Sequence, residues 1–167
     1  MALLNYTTKK EASETIGEIQ KILSQYDVSG IMTEYEGRQV SSVAFKMIVG
    51  GRIMAFRLPC NWRAVQAVLT EQNANRGYRR GQYGGKYKQK RIDDSDEHAI
   101  RVAWRIIKDW VEAQMALIQV HMAPLEQVFL PFAQDHQGTT LYEQLRENRF
   151  QGLALPAPGT TQAPAQS

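Results

Sequence analysis

The segment RGYRRGQYGGKYKQKR, residues 76–91, combines seven positive charges, three tyrosines and four glycines and contains no acid. Lysine and arginine neutralise phosphates and release their counterions, which gives affinity for a polyanion without any sequence recognition. Tyrosines spaced among the cations can stack on bases, and each stack contributes about 1–3 kcal/mol in proteins that bind single strands. We call residues 76–91 the basic arm and interpret it as a contact for nucleic acid, similar in composition to RGG-type segments.

The charge of the remaining chain supports this interpretation. The 167 residues carry a net charge of +3, so everything outside the basic arm carries −4. A strong local field on a faintly acidic body governs association more than the total charge does. The alternative is a solvated loop whose charge only aids solubility, the usual interpretation of a charge run. The interleaved tyrosines favour contact with a polyanion.

The cations and the tyrosines of the basic arm are predicted to do different work. The residues expected to contact phosphate are Arg76, Arg79, Arg80, Lys86, Lys88, Lys90 and Arg91. The residues expected to stack on bases are Tyr78, Tyr83 and Tyr87. Further contacts are possible from the body at Arg57, Arg101, Arg105 and Lys108. The last three follow one helix face, where neighbouring acids can pair with them, and the favoured interpretation is an ordinary solvated face.

The titratable residues outside the arm do not form a recognisable catalytic set. The acids of DDSDE (93–97) have the composition of a divalent-metal cluster, but acids at a helix start more often cap free backbone amides. His98, His121 and His136 lack the spacing of helical metal ligands, and we expect them at surface or boundary positions. The single cysteine, Cys60, excludes an internal disulfide and is expected to be a small buried hydrophobe. We predict no catalytic residue, no metal and no cofactor, and therefore not an enzyme.

The elements that position the arm are predicted from periodicity and turn residues. Thr8 and Glu11 have capping-box spacing before a helix that runs to about residue 26. Strands 31–36, 40–49 and 52–58 follow with short connections, which predicts an antiparallel meander. Asn61 is placed to cap a second helix. The basic arm comes next, without apolar periodicity.

The carboxy-terminal half is predicted to be helical. The longest helix is expected from the DDSDE acids to about Met122, and Thr140 with Glu143 has capping-box spacing ahead of a last helix. The long helix exceeds what the sheet can cover, so its excess should pack on the carboxy-terminal elements or on another subunit. Trp110 lies off the main apolar stripe of this helix and suggests a second apolar edge. An apolar second edge is common at interfaces, and we expect a homo-oligomer.

These predictions describe a single α+β domain: an N-terminal helix, a three-stranded antiparallel meander, a helix, a basic loop and a long C-terminal helix with short helices. The domain spans residues 1–151, with the basic loop inserted at 76–92. Residues 152–167 carry no charge and are rich in proline and alanine, which predicts a disordered tail. No stretch has the length of a membrane span or the apolar core of a signal peptide, so we expect a cytoplasmic protein.

The stretch RVAWRIIKDWVEAQMALIQVHMAPLEQVFLPF (101–132), together with IMTEYE and FRLP, resembles a family of small bacteriophage and prophage proteins. The resemblance brings no activity or catalytic residue, but it implies a phage context and the cytoplasm of a bacterial host. The element order is also similar to double-stranded RNA-binding domains and to phage single-strand annealing proteins, without the diagnostic motif of either. The first hypothesis is a non-enzymatic nucleic-acid-binding accessory protein. The alternative is a counter-defence protein that, as an oligomer, sequesters a nucleotide signal or inhibits a host defence protein.

Overall fold

The computed structural model describes residues 2–80 and 86–153, and it gives only the backbone path for residues 78–80 and 86–87. The helices are α1 (Ala12–Leu23), α2 (Trp62–Ala74), α3 (Asp96–Gln119), α4 (Leu125–Phe129) and α5 (Leu141–Glu147). The strands are β1 (Val28–Glu36), β2 (Gln39–Val49), β3 (Arg52–Pro59), β4 (Tyr78–Arg80), β5 (Lys86–Lys88) and β6 (Ala133–Gln134). A short 3-10 turn, Leu130–Phe132, precedes β6. The predicted α+β class is confirmed.

The central sheet is antiparallel, with strand order β1-β2-β3-β6. Gly50 and Gly51 have φ angles of 57° and 77°, the left-handed conformation that a tight hairpin turn requires and that glycine adopts without steric cost. This turn sets the register of β2 and β3, in which Phe45 lies opposite Phe56. The predicted three-stranded meander is therefore confirmed. The short strand β6 extends it beside β3 and was not predicted.

The hydrophobic core lies between one face of this sheet and helices α1 and α3. Phe45 and Phe56 stack with their ring centroids 5.2 Å apart, and Phe129 meets Phe45 edge-on at 5.4 Å. Trp104 of α3 is completely buried in the same cluster, as is Leu23 of α1. The apolar stripes of the amphipathic helices α1 and α3 thus meet the buried face of the meander.

Two of the four predicted helix caps are present. Asn61 accepts a hydrogen bond from the Ala64 amide, and Thr140 with Glu143 forms a complete capping box. The start of α3 is capped by Ser95, whose hydroxyl accepts from the His98 amide at 3.3 Å. The capping box predicted at Thr8 is wrong. The Thr8 hydroxyl accepts from the Lys10 amide instead, and α1 begins only at Ala12.

The part of α3 that extends past the sheet packs on the carboxy-terminal elements. The Trp110 ring lies 5.5 Å from that of Phe129 and 5.3 Å from that of Phe132, edge-on or tilted in both cases. The second apolar edge that suggested an oligomer interface is therefore covered within the chain. The predicted homo-oligomer stays a prediction. So does the disordered tail, most of which (154–167) lies outside the described residues.

Within residues 2–80 and 86–153, no helix combines the length and the hydropathy needed to cross a bilayer.

Candidate nucleic-acid interface

The described part of the basic arm is an antiparallel pair of strands rather than an irregular loop. The register of β4 and β5 places Tyr78 opposite Lys88, Arg79 opposite Tyr87 and Arg80 opposite Lys86. On the side of these pairs that is nearer to the body, the Gln89 amide donates to the Gly77 carbonyl at 3.4 Å. Tyr83 lies outside the described residues, which omit 81–85. The predicted stacking residues Tyr78 and Tyr87 are thus brought onto neighbouring strands among the cations.

The arm joins the body at residues 75–77 and 88–94, which we call the arm root. Ile92 anchors its returning strand, since only 7% of this residue is exposed and it packs with Leu69 and Ala99 in a small apolar cluster. The Asn73 side chain bonds both backbone groups of Ile92: Oδ1 accepts from the amide at 2.8 Å and Nδ2 donates to the carbonyl at 2.9 Å. The arm therefore leaves the body from a fixed position.

A row of polar side chains on α2 continues this anchoring. Gln66, Thr70 and Asn73 follow each other at helical spacing along one face. Thr70 and Asn73 each donate to Asp94 Oδ2 at 3.2 Å, and Gln66 donates to the Asp94 carbonyl at 3.1 Å. These hydrogen bonds satisfy polar groups that would otherwise need water as their partner. They also bind the segment before α3 to α2. Sequence reasoning did not identify this row, because its residues are common on exposed helix faces.

One arm cation is neutralised by the body. Arg91 Nη2 lies 3.1 Å and 3.3 Å from the two carboxylate oxygens of Asp94. The hydrogen bond from Arg91, followed by that from Asn73, holds the pKa of Asp94 below its usual range. Asp94 was predicted to cap the long helix, but it acts as the counter-ion of the arm. The true cap is Ser95, while Asp93 Oδ1 accepts from the Ser95 amide at 3.0 Å.

The other described cations of the arm root have no acidic partner. Among the described residues, Arg76, Lys88 and Lys90 form no ion pair, and the lysines are exposed. Arg76 uses one guanidinium nitrogen to donate to the Lys90 carbonyl. Arg76 and Arg91 stand between two clefts, of about 370 Å³ on the α2 side and about 570 Å³ on the N-terminal side. The root therefore presents uncompensated positive charge on concave surfaces.

The additional candidates in the body are engaged in ion pairs. Both oxygens of Glu143 accept from Arg57 Nη2, at 3.1 Å and 3.0 Å. Arg101 pairs with Glu11, the residue before α1, at 3.1 Å, and Arg105 pairs with Glu18 of α1 at 3.0 Å. Lys108 pairs with Glu112 within α3 at 2.5 Å. The interpretation of this helix face as an ordinary solvated face is therefore wrong. The side chains of Arg101, Arg105 and Lys108 are only 18%, 27% and 12% exposed, and they form a row of ion pairs.

The remaining chemically interesting residues are structural in the described part of the chain. Burial raises the pKa of the Cys60 thiol to about 12, so it stays protonated and packs in the core as expected. His98 was expected at a surface or boundary position but is 94% buried, and its Nε2 lies 2.8 Å from the Tyr6 carbonyl. His121 and His136 are exposed. Residues 2–80 and 86–153 contain no group of three His, Cys, Asp or Glu residues that could hold a metal ion.

No protein family, no curated protein and no solved structure shows a significant match to this chain. The resemblance to phage proteins therefore remains a prediction. The candidate interface depends on its geometry and charge alone.

Proposed function

We propose that this protein is a non-enzymatic nucleic-acid-binding accessory protein of the phage type, which grips single-stranded nucleic acid with the basic arm. The observation that carries the proposal is the partition of charge. Arg57, Arg101, Arg105 and Lys108 have carboxylate partners inside the chain. Lys88 and Lys90 of the arm root have none among the described residues. Uncompensated lysines gain most from a phosphate, because no internal ion pair has to be broken first.

The preference for single strands follows from the tyrosines. In a duplex the faces of the bases are occupied by stacking, whereas in a single strand they are open to aromatic side chains. The register of β4 and β5 pairs Tyr78 with Lys88 and Tyr87 with Arg79, so each tyrosine position has a cation position directly opposite it. A single strand bound to the hairpin would therefore find an aromatic residue and a cation together at each of these two pairs.

The arm root contributes by fixing the direction of the arm. Ile92 is held by burial and by both hydrogen bonds from Asn73, so the hairpin does not have to be ordered at its base when the ligand binds. Preorganisation of this kind lowers the entropic cost of association. We assign the phosphate contacts to the seven arm cations and the stacking contacts to the three tyrosines. Arg57, Arg105 and Lys108 remain structural.

The test is a salt series with fluorescent single-stranded and double-stranded oligonucleotides. The variant Lys88→Gln/Lys90→Gln removes two root charges, and the matched control Lys46→Gln/Arg52→Gln removes two exposed charges from the central sheet. For single strands, the slope of log affinity against log salt should fall by about 1.4 in the arm variant, since each phosphate contact contributes roughly 0.7. The control should keep the slope of the parent protein.

The double-stranded probe separates the contribution of stacking from that of charge, because the faces of its bases are already occupied and cannot stack on tyrosines. Tyr78→Leu/Tyr87→Leu should weaken binding of single strands by about tenfold or more while leaving the salt slope unchanged, because each lost stack is worth about 1–3 kcal/mol. The proposal fails if the arm variant and the sheet variant bind every oligonucleotide equally well at every salt concentration.

A further inference from the structure

The larger of the two clefts at the arm root is a concave pocket, whereas the hairpin is an extended surface. It measures about 570 Å³ and lies between residues 6–9 of the N-terminal segment and residues 90–93 of the returning arm, with the first turns of α3 beneath it. This volume falls in the range of pockets that hold small ligands, about 300–1,000 Å³. We call it the N-terminal cleft.

The N-terminal cleft is closed on one side by an anchored segment. Asn5 Nδ2 donates to Asp109 Oδ2 at 2.8 Å, and His98 bonds the Tyr6 carbonyl. Both partners belong to α3, so residues 5 and 6 are fixed to the body at two points. Residues 6–9 therefore form a fixed side of the cleft.

The charge of the cleft is strongly positive. Five of its lining residues are cations: Lys9, Arg76, Lys90, Arg91 and Arg101. Its one carboxylate, Asp93, accepts a hydrogen bond from the Ser95 amide, and that bond keeps the pKa of Asp93 below its ordinary value. Arg91 and Arg101 are partly neutralised by Asp94 and Glu11. Lys9, Arg76 and Lys90 have no acidic partner among the described residues, which favours an anion of more than one charge.

The base of the cleft offers neutral contacts. His98 lines the cleft, and its Nε2 lies 2.8 Å from the Tyr6 carbonyl. Thr8 Oγ1 accepts from the Lys10 amide and keeps its own proton to donate. Ile92 adds an apolar surface. The Thr8 hydroxyl suits a phosphate or sugar oxygen, and Ile92 suits a base or sugar face.

We propose that the N-terminal cleft binds one nucleotide that carries a terminal phosphate monoester. The cations hold the phosphate, which has about one charge more than a phosphodiester at neutral pH. The nucleotide is either the phosphorylated end of a strand that the arm holds or a free mononucleotide, which share this chemistry. The first case depends on the proposed function of the arm, and Arg76 and Arg91 connect the two because they line both clefts.

The experiment compares four probes on the full chain by calorimetry: an oligothymidylate with a 5′-phosphate, one with a 3′-phosphate, one with hydroxyls at both ends, and thymidine monophosphate. The test variant is Lys9→Gln, because Lys9 lines the N-terminal cleft but not the α2 cleft. The control is Lys21→Gln, an exposed lysine on α1. Thermal melting confirms that both variants are folded.

A phosphorylated end should bind about ten- to a hundred-fold more tightly than the hydroxyl end, the range that one or two charge-assisted hydrogen bonds provide. Lys9→Gln should remove most of that difference, and Lys21→Gln should remove none. The cleft proposal is overturned if neither phosphorylated end binds more tightly and thymidine monophosphate does not bind. Equal, tight binding of all three oligonucleotides then leaves the function of the arm intact.

The reverse pattern, in which only the mononucleotide binds, separates the cleft proposal from the arm proposal. If no oligonucleotide binds but thymidine monophosphate binds and loses affinity in Lys9→Gln, the arm proposal fails and the cleft proposal stands in its mononucleotide form. If no probe binds at all, both are wrong.

Discussion

Asn73 holds Ile92 as a neighbouring strand would, because its side-chain amide bonds both the N–H and the C=O of that residue. One side chain of helix α2 thus supplies the backbone hydrogen bonds of the residue that follows the arm. Without this pairing two backbone groups near the buried Ile92 side chain would lack their partner, a cost of about 1–3 kcal/mol.

We predict that Asn73→Ala lowers the free energy of unfolding by roughly that amount, about 1–3 kcal/mol, as measured by urea denaturation. The Ile92 amide should also exchange its hydrogen faster, since Asn73 Oδ1 is its acceptor. The matched control is Asn75→Ala, an exposed residue two positions on whose side chain makes no hydrogen bond in the described structure. Unchanged exchange at Ile92 would show that the anchor does not depend on Asn73.

Asp94 competes with any phosphate for Arg91. The substitution Asp94→Asn should free this arginine, raise the affinity for single-stranded oligonucleotides by a few-fold and steepen the salt slope by roughly 0.7, the value of one phosphate contact. The control Asp27→Asn makes the same change of charge at an exposed position outside the arm root. Fluorescence anisotropy at several salt concentrations measures both quantities. An equal gain in the two variants would indicate a general effect of net charge and contradict a specific counter-ion.

Glu143 makes the carboxy-terminal elements sensitive to acid. The Thr140 backbone amide, then the Thr140 hydroxyl and the charge of Arg57, lower the pKa of Glu143 in the folded chain. A carboxyl whose folded pKa is lowered stabilises the protein above its unfolded pKa, and this stabilisation is lost as the pH falls through the folded value. The melting temperature should therefore decline below about pH 4.5, near the ordinary pKa of a glutamate.

Glu143→Gln should show a smaller decline over the same pH interval, although it melts at a lower temperature near neutral pH because the ion pair with Arg57 is gone. Glu147→Gln, an exposed acid one helical turn later, should follow the parent protein. Calorimetric melts between pH 3 and pH 7 distinguish them. Parallel curves for all three proteins would rule out Glu143 as a source of the acid sensitivity.

Local patterns predicted much of the fold. Gly50 and Gly51 identified the hairpin, since few other residues adopt their φ angles, and Thr140 with Glu143 identified a capping box. The failure at Thr8 shows the limit of such patterns. The same spacing occurs there, but the segment before α1 is fixed to α3 through Asn5 and Tyr6, and these long-range contacts decide where the helix begins.

The candidate site was predicted less completely than the fold. The composition of the basic arm was visible in the sequence, but its counter-ion Asp94 and its anchor Asn73 lie on different elements that only folding brings together. For the same reason the pairing of Arg105 with Glu18, 87 residues apart, was invisible. Only the pairing of these cations with acids four residues later in the same helix could be predicted from the sequence.

Cys60 tests the core directly, because it is the only thiol in the chain. It is buried, and burial raises its pKa to about 12, so at pH 8 almost none of it is in the reactive thiolate form. We expect Ellman's reagent to label the native protein at least about a hundred-fold more slowly than free glutathione, whose thiol has an ordinary pKa near 8.5–9. In a urea series the labelling rate should rise together with the unfolded fraction, because only the unfolded chain exposes the thiol. Labelling of the native protein at the rate of glutathione would place Cys60 at the surface and contradict the packing of the sheet against α1 and α3.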